Sequence, residues 1–251
     1  MISQMNRNSH GRPGKSTTRR SGKSGVRGGR SALQGGTGRS GRGDVPKATG
    51  KRQAGRLRII AGEFRGRTIR YHGSAFTRPM KDSVRENLFN IVGPALRGAT
   101  CFDLFSGTGA IALESLSRGA SSAVAVDASK LATRTIRESA ESLGVGRRLR
   151  VLTGDAFRLG ERLLAPPSDD TPWAVFLCPP YRMWDDPEDF ESLCHLIRIT
   201  LERAAPGSVL VAETARRFEA GRLPPGPWDL REYGETRLAI IEPASRCGWC
   251  P

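Results

Sequence analysis

Cys101-Phe-Asp-Leu-Phe-Ser-Gly-Thr-Gly-Ala-Ile-Ala-Leu-Glu114 holds three kinds of structure in fourteen residues. An apolar run ends at Asp103-Leu104-Phe105. A tight Ser106-Gly107-Thr108-Gly109 turn follows, and Ala110 to Leu113 opens a helix of small and apolar residues. Strand, glycine loop and helix are the reading. Gly107 and Gly109 lack a Cβ, so the backbone bends sharply there and admits a ligand close to it. The loop ends at a helix N-terminus, whose first N–H groups have no partner inside the helix. Such a junction suits a nucleotide-like ligand at the carboxyl edge of a parallel sheet. A glycine loop alone is a weak signal, so the segments around it must identify the ligand.

Downstream, Ser122 to Val126 is a β-branched run that closes on Asp127, eighteen residues after Gly109. That is near the spacing at which an acid meets ribose hydroxyls, and one carboxylate accepts from both hydroxyls of a cis-diol. The alternative is an Asp that caps the helix starting near Ser129. Lys130 to Leu143 reads as that helix, closed by Gly144 and Gly146. Arg150 to Thr153 is a short strand. Asp155 follows it, placed to accept from an adenine amino group, with Ala156 offering a backbone N–H. Asp103, Asp127 and Asp155 on three successive strand ends are far more specific than any one of them. Trp173 to Cys178 is a buried strand running into Cys178-Pro179-Pro180-Tyr181. Arg182 to Asp189 reads as an acidic loop and Phe190 to Ala204 as a helix. Ser208 to Glu213 is a further strand, and Trp228–Tyr233 with Thr236–Ile241 a closing antiparallel hairpin. The alternation predicts a three-layer α/β domain on a mainly parallel sheet.

Upstream, the composition changes. Residues 1–55 hold thirteen Lys/Arg against one acid, Asp44, and thirteen Gly without an aromatic; the remaining residues hold 27 Lys/Arg and 24 Asp/Glu. The net charge of +15 therefore belongs mostly to this arm. It has too little apolar surface to offset ordering entropy and is expected to be disordered, a tail for sequence-independent RNA contact. Residues 56–243 form the expected folded domain, with a β-hairpin over 56–75, and 244–251 a tail. The hairpin carries Arg56, Arg58, Arg65, Arg67 and Arg70, interleaved with Phe64 and Tyr71, a mixture that suits RNA. Pro79 then breaks the chain, and Asp82 or Ser83 starts a helix with Val84, Leu88, Ile91 and Val92 at helical spacing. Core packing explains that stripe but not the polar Arg78, Lys81 and Asn87. Five cysteines in a chain of 251 residues do not suggest a disulfide scaffold. No apolar run approaches a membrane span, and no apolar segment of a secretory signal follows the basic start. Cys247-Gly-Trp-Cys250 lacks a second ligand pair, so no metal site is expected, and His10, His72 and His195 form no catalytic cluster.

These residues together resemble the class I S-adenosylmethionine-dependent methyltransferases. Within them the chain is similar to the RsmD family of 16S rRNA (guanine(966)-N2)-methyltransferases over roughly Arg56 to Pro243. Arg58-Ile-Ile-Ala-Gly62 with Arg65-Gly66-Arg67, Arg78-Pro79 through Val84-Arg-Glu-Asn-Leu-Phe89, Asp103 to Gly109, and Gly119-Ala120 carry the likeness. The basic arm is outside it. The resemblance implies a three-layer Rossmann-like class I sheet with S-adenosylmethionine as cofactor. Asp103, Ser106, Gly107 and Gly109 would line its amino-acid and ribose end. Asp127 would take the ribose hydroxyls, Asp155 and Ala156 the adenine, and the Arg78 to Asn87 segment would cover the methionine part. Arg56, Arg58, Arg65 and Arg67 would meet RNA. The implied partner is 16S rRNA in the small ribosomal subunit, met by a monomer in the cytoplasm and away from membranes.

The chemical site implied is Cys178-Pro179-Pro180-Tyr181, where the family pattern is Asp or Asn, two prolines and an aromatic. A guanine exocyclic amine is a poor nucleophile because its lone pair is delocalised into the ring. An oxygen on the first residue and the carbonyl of the first proline hold its two N–H groups and aim the lone pair; the aromatic stacks on the base. Cys178 departs from the pattern, since a thiol is a weak acceptor. The Pro179 carbonyl and Tyr181 then act alone, or Asp185 or Asp186 supplies the oxygen, or the chain is a non-catalytic RNA-binding assembly factor. An adenine-N6 DNA methyltransferase uses the same amine chemistry and is a further alternative.

Overall fold

The computed structural model describes residues 55–71, 73, 79–165 and 170–243. The chain divides into two units, Met1–Pro46 and Lys47–Pro251, and every described residue belongs to the second. The basic arm up to residue 54, Arg78, and the 244–251 tail with Cys247 and Cys250 lie outside the described residues.

Among those residues nine strands form two sheets. Strands β1 (Gly55–Arg58) and β2 (Thr68–Tyr71) pair antiparallel. The large sheet joins β3 (Thr100–Asp103), β4 (Ser122–Asp127), β5 (Leu149–Thr153), β6 (Trp173–Leu177), β7 (Val209–Ala215), β8 (Asp229–Tyr233) and β9 (Thr236–Ile241). Their order across it is β5-β4-β3-β6-β7-β9-β8. The first five in that order run parallel; β9 is antiparallel to β7, and β8 to β9. The sheet agrees with the prediction, closing hairpin included.

A parallel sheet must be covered on both faces, and successive residues of a strand point to opposite faces. Strand β3 shows both rules at once. Cys101 packs in one core with Leu88, Phe89, Leu113, Leu116 and Ile136, from helices α1 (Asp82–Val92), α2 (Ala110–Ser117) and α3 (Lys130–Leu143). Phe102 packs in the other with Leu193, Leu196 and Ile197, which come from α6 (Pro187–Arg203). Helix ends follow local chemistry. Ser129 Oγ accepts the Ala132 N–H at the start of α3, Gly144 ends that helix at φ +75°, and Asp186 with Pro187 starts α6.

Three elements differ from the sequence reading. Helix α4 (Ala156–Leu163) has no counterpart in it. The helix is eight residues long, and Gly160 looks like a breaker in the sequence. In the fold Gly160 is a close-packing site, because a Cβ there would stand 3.0 Å from Leu196 and 3.1 Å from Leu104. The expected acidic loop over 182–189 is instead the short helix α5 (Arg182–Asp185) and the first turn of α6. Trp184 draws it in: the ring is buried, its Nε1 donates to the Glu213 carbonyl at 2.8 Å, and it packs 5.3 Å from Phe218. The run Leu57-Arg-Ile-Ile-Ala61 reads as strand-like, but the first strand ends at Arg58, because the N–H groups of Ile60 and Ala61 turn to the Glu114 carboxylate.

Candidate functional site

The chain runs β3 to β4 to β5 outward on one side and then crosses back to β6 on the other side of β3. The loops after β3 and β6 part at this reversal, the place where an open α/β sheet offers its crevice, at the carboxyl edge. The candidate residues at strand ends of the large sheet fall along this edge.

The glycine loop is fixed from within. Ser106 Oγ donates to the Asp103 carbonyl at 2.7 Å, and the Gly109 N–H to the Ser106 carbonyl at 2.7 Å. Gly107 and Gly109 have φ of +52° and +74°, so both sit in the left-handed region that favours glycine. A Cβ on Gly109 would also lie 2.8 Å from Ile136 Cγ1. Asp127 holds the loop from the next strand: its Oδ2 accepts the Gly107 N–H at 2.8 Å and its Oδ1 the Ser129 N–H at 2.8 Å. The two readings of Asp127 are therefore compatible. It steadies the start of α3 and the glycine loop, and each oxygen keeps a second lone pair for a hydroxyl.

Asp103 is the most constrained group. Its Oδ2 accepts from Ala112 at 3.3 Å, whereas Oδ1 is buried without a partner. Burial pushes its carboxyl up to about 7; the Asp127 charge adds to this, and the Ala112 N–H opposes it. An orphaned, buried carboxylate oxygen behind a glycine loop is the counter-group that an ammonium would satisfy, so the residues present fit a cofactor with an amino-acid end. Asp155 is exposed, and its Oδ1 accepts the Arg158 N–H at 2.9 Å, which caps α4. Ala156 is buried beside it. Phe105 and Phe157 meet edge to face at 5.8 Å between this cap and the loop, a pair the sequence reading passed over. Asn87 is exposed and donates to the Ser83 carbonyl of its own helix.

Across the crevice, Cys178 is half-buried, Pro179 buried and Pro180 exposed. Burial pushes the Cys178 thiol well up; the charges of Glu213 and Asp103 and a hydrogen bond to Glu213 push it the same way. It is a protonated thiol, not a thiolate. Tyr181 donates its hydroxyl to Glu213 Oε1 at 2.9 Å and shares a 2.8 Å hydrogen bond with Thr236 Oγ1. Asp185 and Asp186, one of the three alternatives for the missing oxygen, are otherwise engaged. Asp185 pairs with Arg217 at 2.9 Å, and Asp186 caps α6. The carboxylate beside Cys178 and Tyr181 is Glu213, at the position where β7 passes β6. Sequence reasoning saw it only as a strand end, and the signal that it faces Cys178 lies in the strand pairing.

On the small sheet and its connecting turn, Arg56, Arg58, Arg65, Arg67 and Arg70 are exposed. Phe64 is not available for stacking on RNA, since it is buried in the core and its N–H donates to Ser117 Oγ. Arg67 donates to the Ser142 carbonyl at 2.6 Å. Arg56 and Arg70 face each other across the ladder, a like-charge pair that is unfavourable without an anion nearby. An open depression of about 660 Å³ edged by Arg147, Arg150 and Arg162 lies at the opposite, amino edge of the large sheet, away from the crevice. No group of three or more metal-ligating side chains occurs among the described residues, and no described helix is long and apolar enough to cross a membrane.

The chain is similar to known proteins. YlbH of Bacillus subtilis is 32% identical over 192 residues, covering 74% of this chain and 98% of its own. Ribosomal RNA small subunit methyltransferase D of Escherichia coli K12 is 34% identical over 129 residues, 51% of this chain and 62% of its own. The solved structure of Escherichia coli yhhF superposes with a TM-score of 0.57 at 27% identity, over 76% of this chain and 99% of that one. The family model described as Conserved hypothetical protein 95 matches residues 57–242. From the β1–β2 hairpin to β9, the chain belongs to that family, the RsmD family of class I S-adenosylmethionine-dependent methyltransferases.

Proposed function

We propose that this protein methylates the exocyclic N2 amine of a guanine in 16S rRNA, at the position of guanine 966, within the small ribosomal subunit. The observation that carries the reading is the crevice itself. A glycine loop with a buried, half-satisfied Asp103 stands on one side of the strand reversal, and Cys178-Pro-Pro-Tyr181 on the other. The rRNA enzyme named among the relatives supports the substrate class. When bound, S-adenosylmethionine would supply an electrophilic methyl group to the amine nitrogen, which would give up a proton in exchange.

The chain's own part is to bind, orient and exclude water. Asp103 would hold the cofactor's ammonium, Asp127 its ribose hydroxyls, and Asp155 and Ala156 its adenine. Pro179 offers its carbonyl to one amine N–H, and Tyr181 presents a ring held at its hydroxyl by Glu213 and Thr236. Transfer of this kind is in-line and needs mainly alignment, so fixed groups suffice. The exposed arginines of the hairpin and the basic arm neutralise rRNA phosphates, which fixes register without reading sequence.

Base-resolved mapping of methyl groups on 16S rRNA from cells with and without the protein tests the reading. A methylated guanine N2 present only with the protein is expected. Methylation of adenine N6 instead would favour the DNA-type amine chemistry. No transfer by the wild type, with recovery in Cys178→Asp, would identify a non-catalytic RNA-binding factor.

A further inference from the structure

The oxygen expected on residue 178 is missing, and the structure puts a carboxylate beside that position from the adjacent strand. Strands β6 and β7 run parallel with Leu177 opposite Ala212, so the next residues, Cys178 and Glu213, emerge side by side at the carboxyl edge. Glu213 is half-buried and held by three neighbours. Tyr181 Oη donates to its Oε1 at 2.9 Å, Trp184 Nε1 to its carbonyl at 2.8 Å, and the Cys178 thiol to its carboxylate. Tyr181 is itself bridged to Thr236 on β9. The carboxylate is thus preorganised at the mouth of the Cys178-Pro-Pro-Tyr181 loop by that loop's own side chains, Tyr181 being anchored in turn from β9.

Resting on the methyl-transfer reading above, we propose that Glu213 is the catalytic acceptor for the exocyclic amine, replacing the side-chain oxygen that residue 178 lacks. Its carboxylate takes one amine N–H as a hydrogen bond, and it takes the proton that the nitrogen sheds once it carries the methyl. A carboxylate accepts several hydrogen bonds at once, so the Tyr181 hydroxyl and an amine can share it. Its charge matches the positive charge that develops on the nitrogen, a match a neutral thiol cannot make. The same charge selects the substrate class. A base edge that presents N–H donors is welcomed, and one that presents a carbonyl oxygen is repelled. Cys178 then has a smaller role: its protonated thiol donates to Glu213 and steadies it.

The test uses the full chain: single-turnover methyl transfer to small-subunit particles, cofactor affinity by calorimetry, and alkylation of Cys178 followed by peptide mass spectrometry. The variants are Glu213→Gln, Tyr181→Phe, Cys178→Asp and the Cys178→Asp/Glu213→Gln pair. Glutamine is isosteric and still accepts from Tyr181, so the loop keeps its anchor. Glu213→Gln is expected to slow transfer at saturating RNA about a hundredfold, leaving cofactor affinity and the RNA KM within a few-fold. Cys178→Asp in that background restores at least about tenfold of the loss, and Tyr181→Phe costs less than Glu213→Gln. Cys178 alkylates faster in Glu213→Gln, because the neighbouring negative charge no longer holds the proton on sulfur. If wild type transfers methyl and Glu213→Gln does so within about twofold, or Cys178→Asp restores nothing, the inference is overturned and the methyl-transfer reading stands. If wild type transfers methyl to no RNA, the reading itself falls, and the inference with it.

Discussion

Asp103 carries a charge that its own surroundings disfavour. Its carboxyl is pushed up to about 7 by burial, from an ordinary value of 3.8. Between those two values the folded chain holds a proton that the unfolded chain has lost, so stability falls as pH rises through that window. The fall is of the order of 4 kcal/mol, at about 1.4 kcal/mol for each pH unit between the two values. Urea midpoints measured across pH 4 to 8 should therefore decline toward neutrality for wild type and stay flatter for Asp103→Asn. An ammonium placed on Asp103 reverses the balance by favouring the ionised form. Cofactor binding near pH 6 should then release a proton, visible as a dependence of calorimetric enthalpy on the ionisation enthalpy of the buffer, and absent in Asp103→Asn. Gly109 makes a second residue-scale prediction. At φ +74° and with Ile136 2.8 Å from a would-be Cβ, Gly109→Ala forces strain and repacking together. A loss of about 2 kcal/mol or more, and weakened cofactor binding, is the outcome to look for by thermal melts with and without ligand.

Helix α2 does more than follow the glycine loop. All eight of its residues are buried, among them the carboxylate of Glu114. That carboxylate accepts the N–H groups of Ile60 and Ala61 at 2.8 and 3.0 Å and pairs with Arg118 at 2.8 Å. Ser117 adds a bond to the Ala61 carbonyl and accepts from Phe64, and Gly62, at φ +83°, lets the backbone lie directly on the Ser117 carbonyl. One helix thus holds the glycine loop at its start and the arginine-bearing hairpin along its length. Glu114→Ala removes one partner of a buried pair and orphans two backbone donors. A destabilisation of about 3 to 5 kcal/mol by denaturant titration is expected, and Glu114→Gln should cost less because it still accepts from one N–H. Because the hairpin depends on this anchor, RNA affinity should fall in Glu114→Ala before global unfolding sets in.

For the whole molecule, the exposed arginines define an electrostatic face that the folded domain, close to neutral as a whole, carries only locally. Arg56 and Arg70 repel across the ladder, and a phosphate between them relieves that repulsion. The Arg56→Ala/Arg70→Ala variant should bind RNA more weakly by a similar factor for every sequence. The slope of log affinity against log salt should also shrink by about 0.7 to 0.9 for each phosphate that the variant no longer neutralises. Filter binding at several salt concentrations reads both. Much of this molecule was legible before the fold was seen. The glycine loop, the three acids and the buried strands announced themselves because their signals are local: turn chemistry, an acid after a β-branched run, and apolar stretches of strand length. Helix α4 and the start of α6 escaped notice for the opposite reason. Gly160 and Trp184 only make sense against Leu196, Phe218 and Glu213, which are distant in the chain. Phe64 misled in the same way, since an aromatic among arginines looks like an RNA contact until Ser117 and the core claim it. The sequence by itself determined the glycine loop and the strand-end acids Asp103, Asp127 and Asp155, because one short stretch and the ends of two strands encode them. Only the tertiary structure decided what stands beside Cys178-Pro-Pro-Tyr181. There the decisive neighbour of Cys178 is Glu213, thirty-five residues away in the chain and adjacent only because β6 and β7 hydrogen-bond in register.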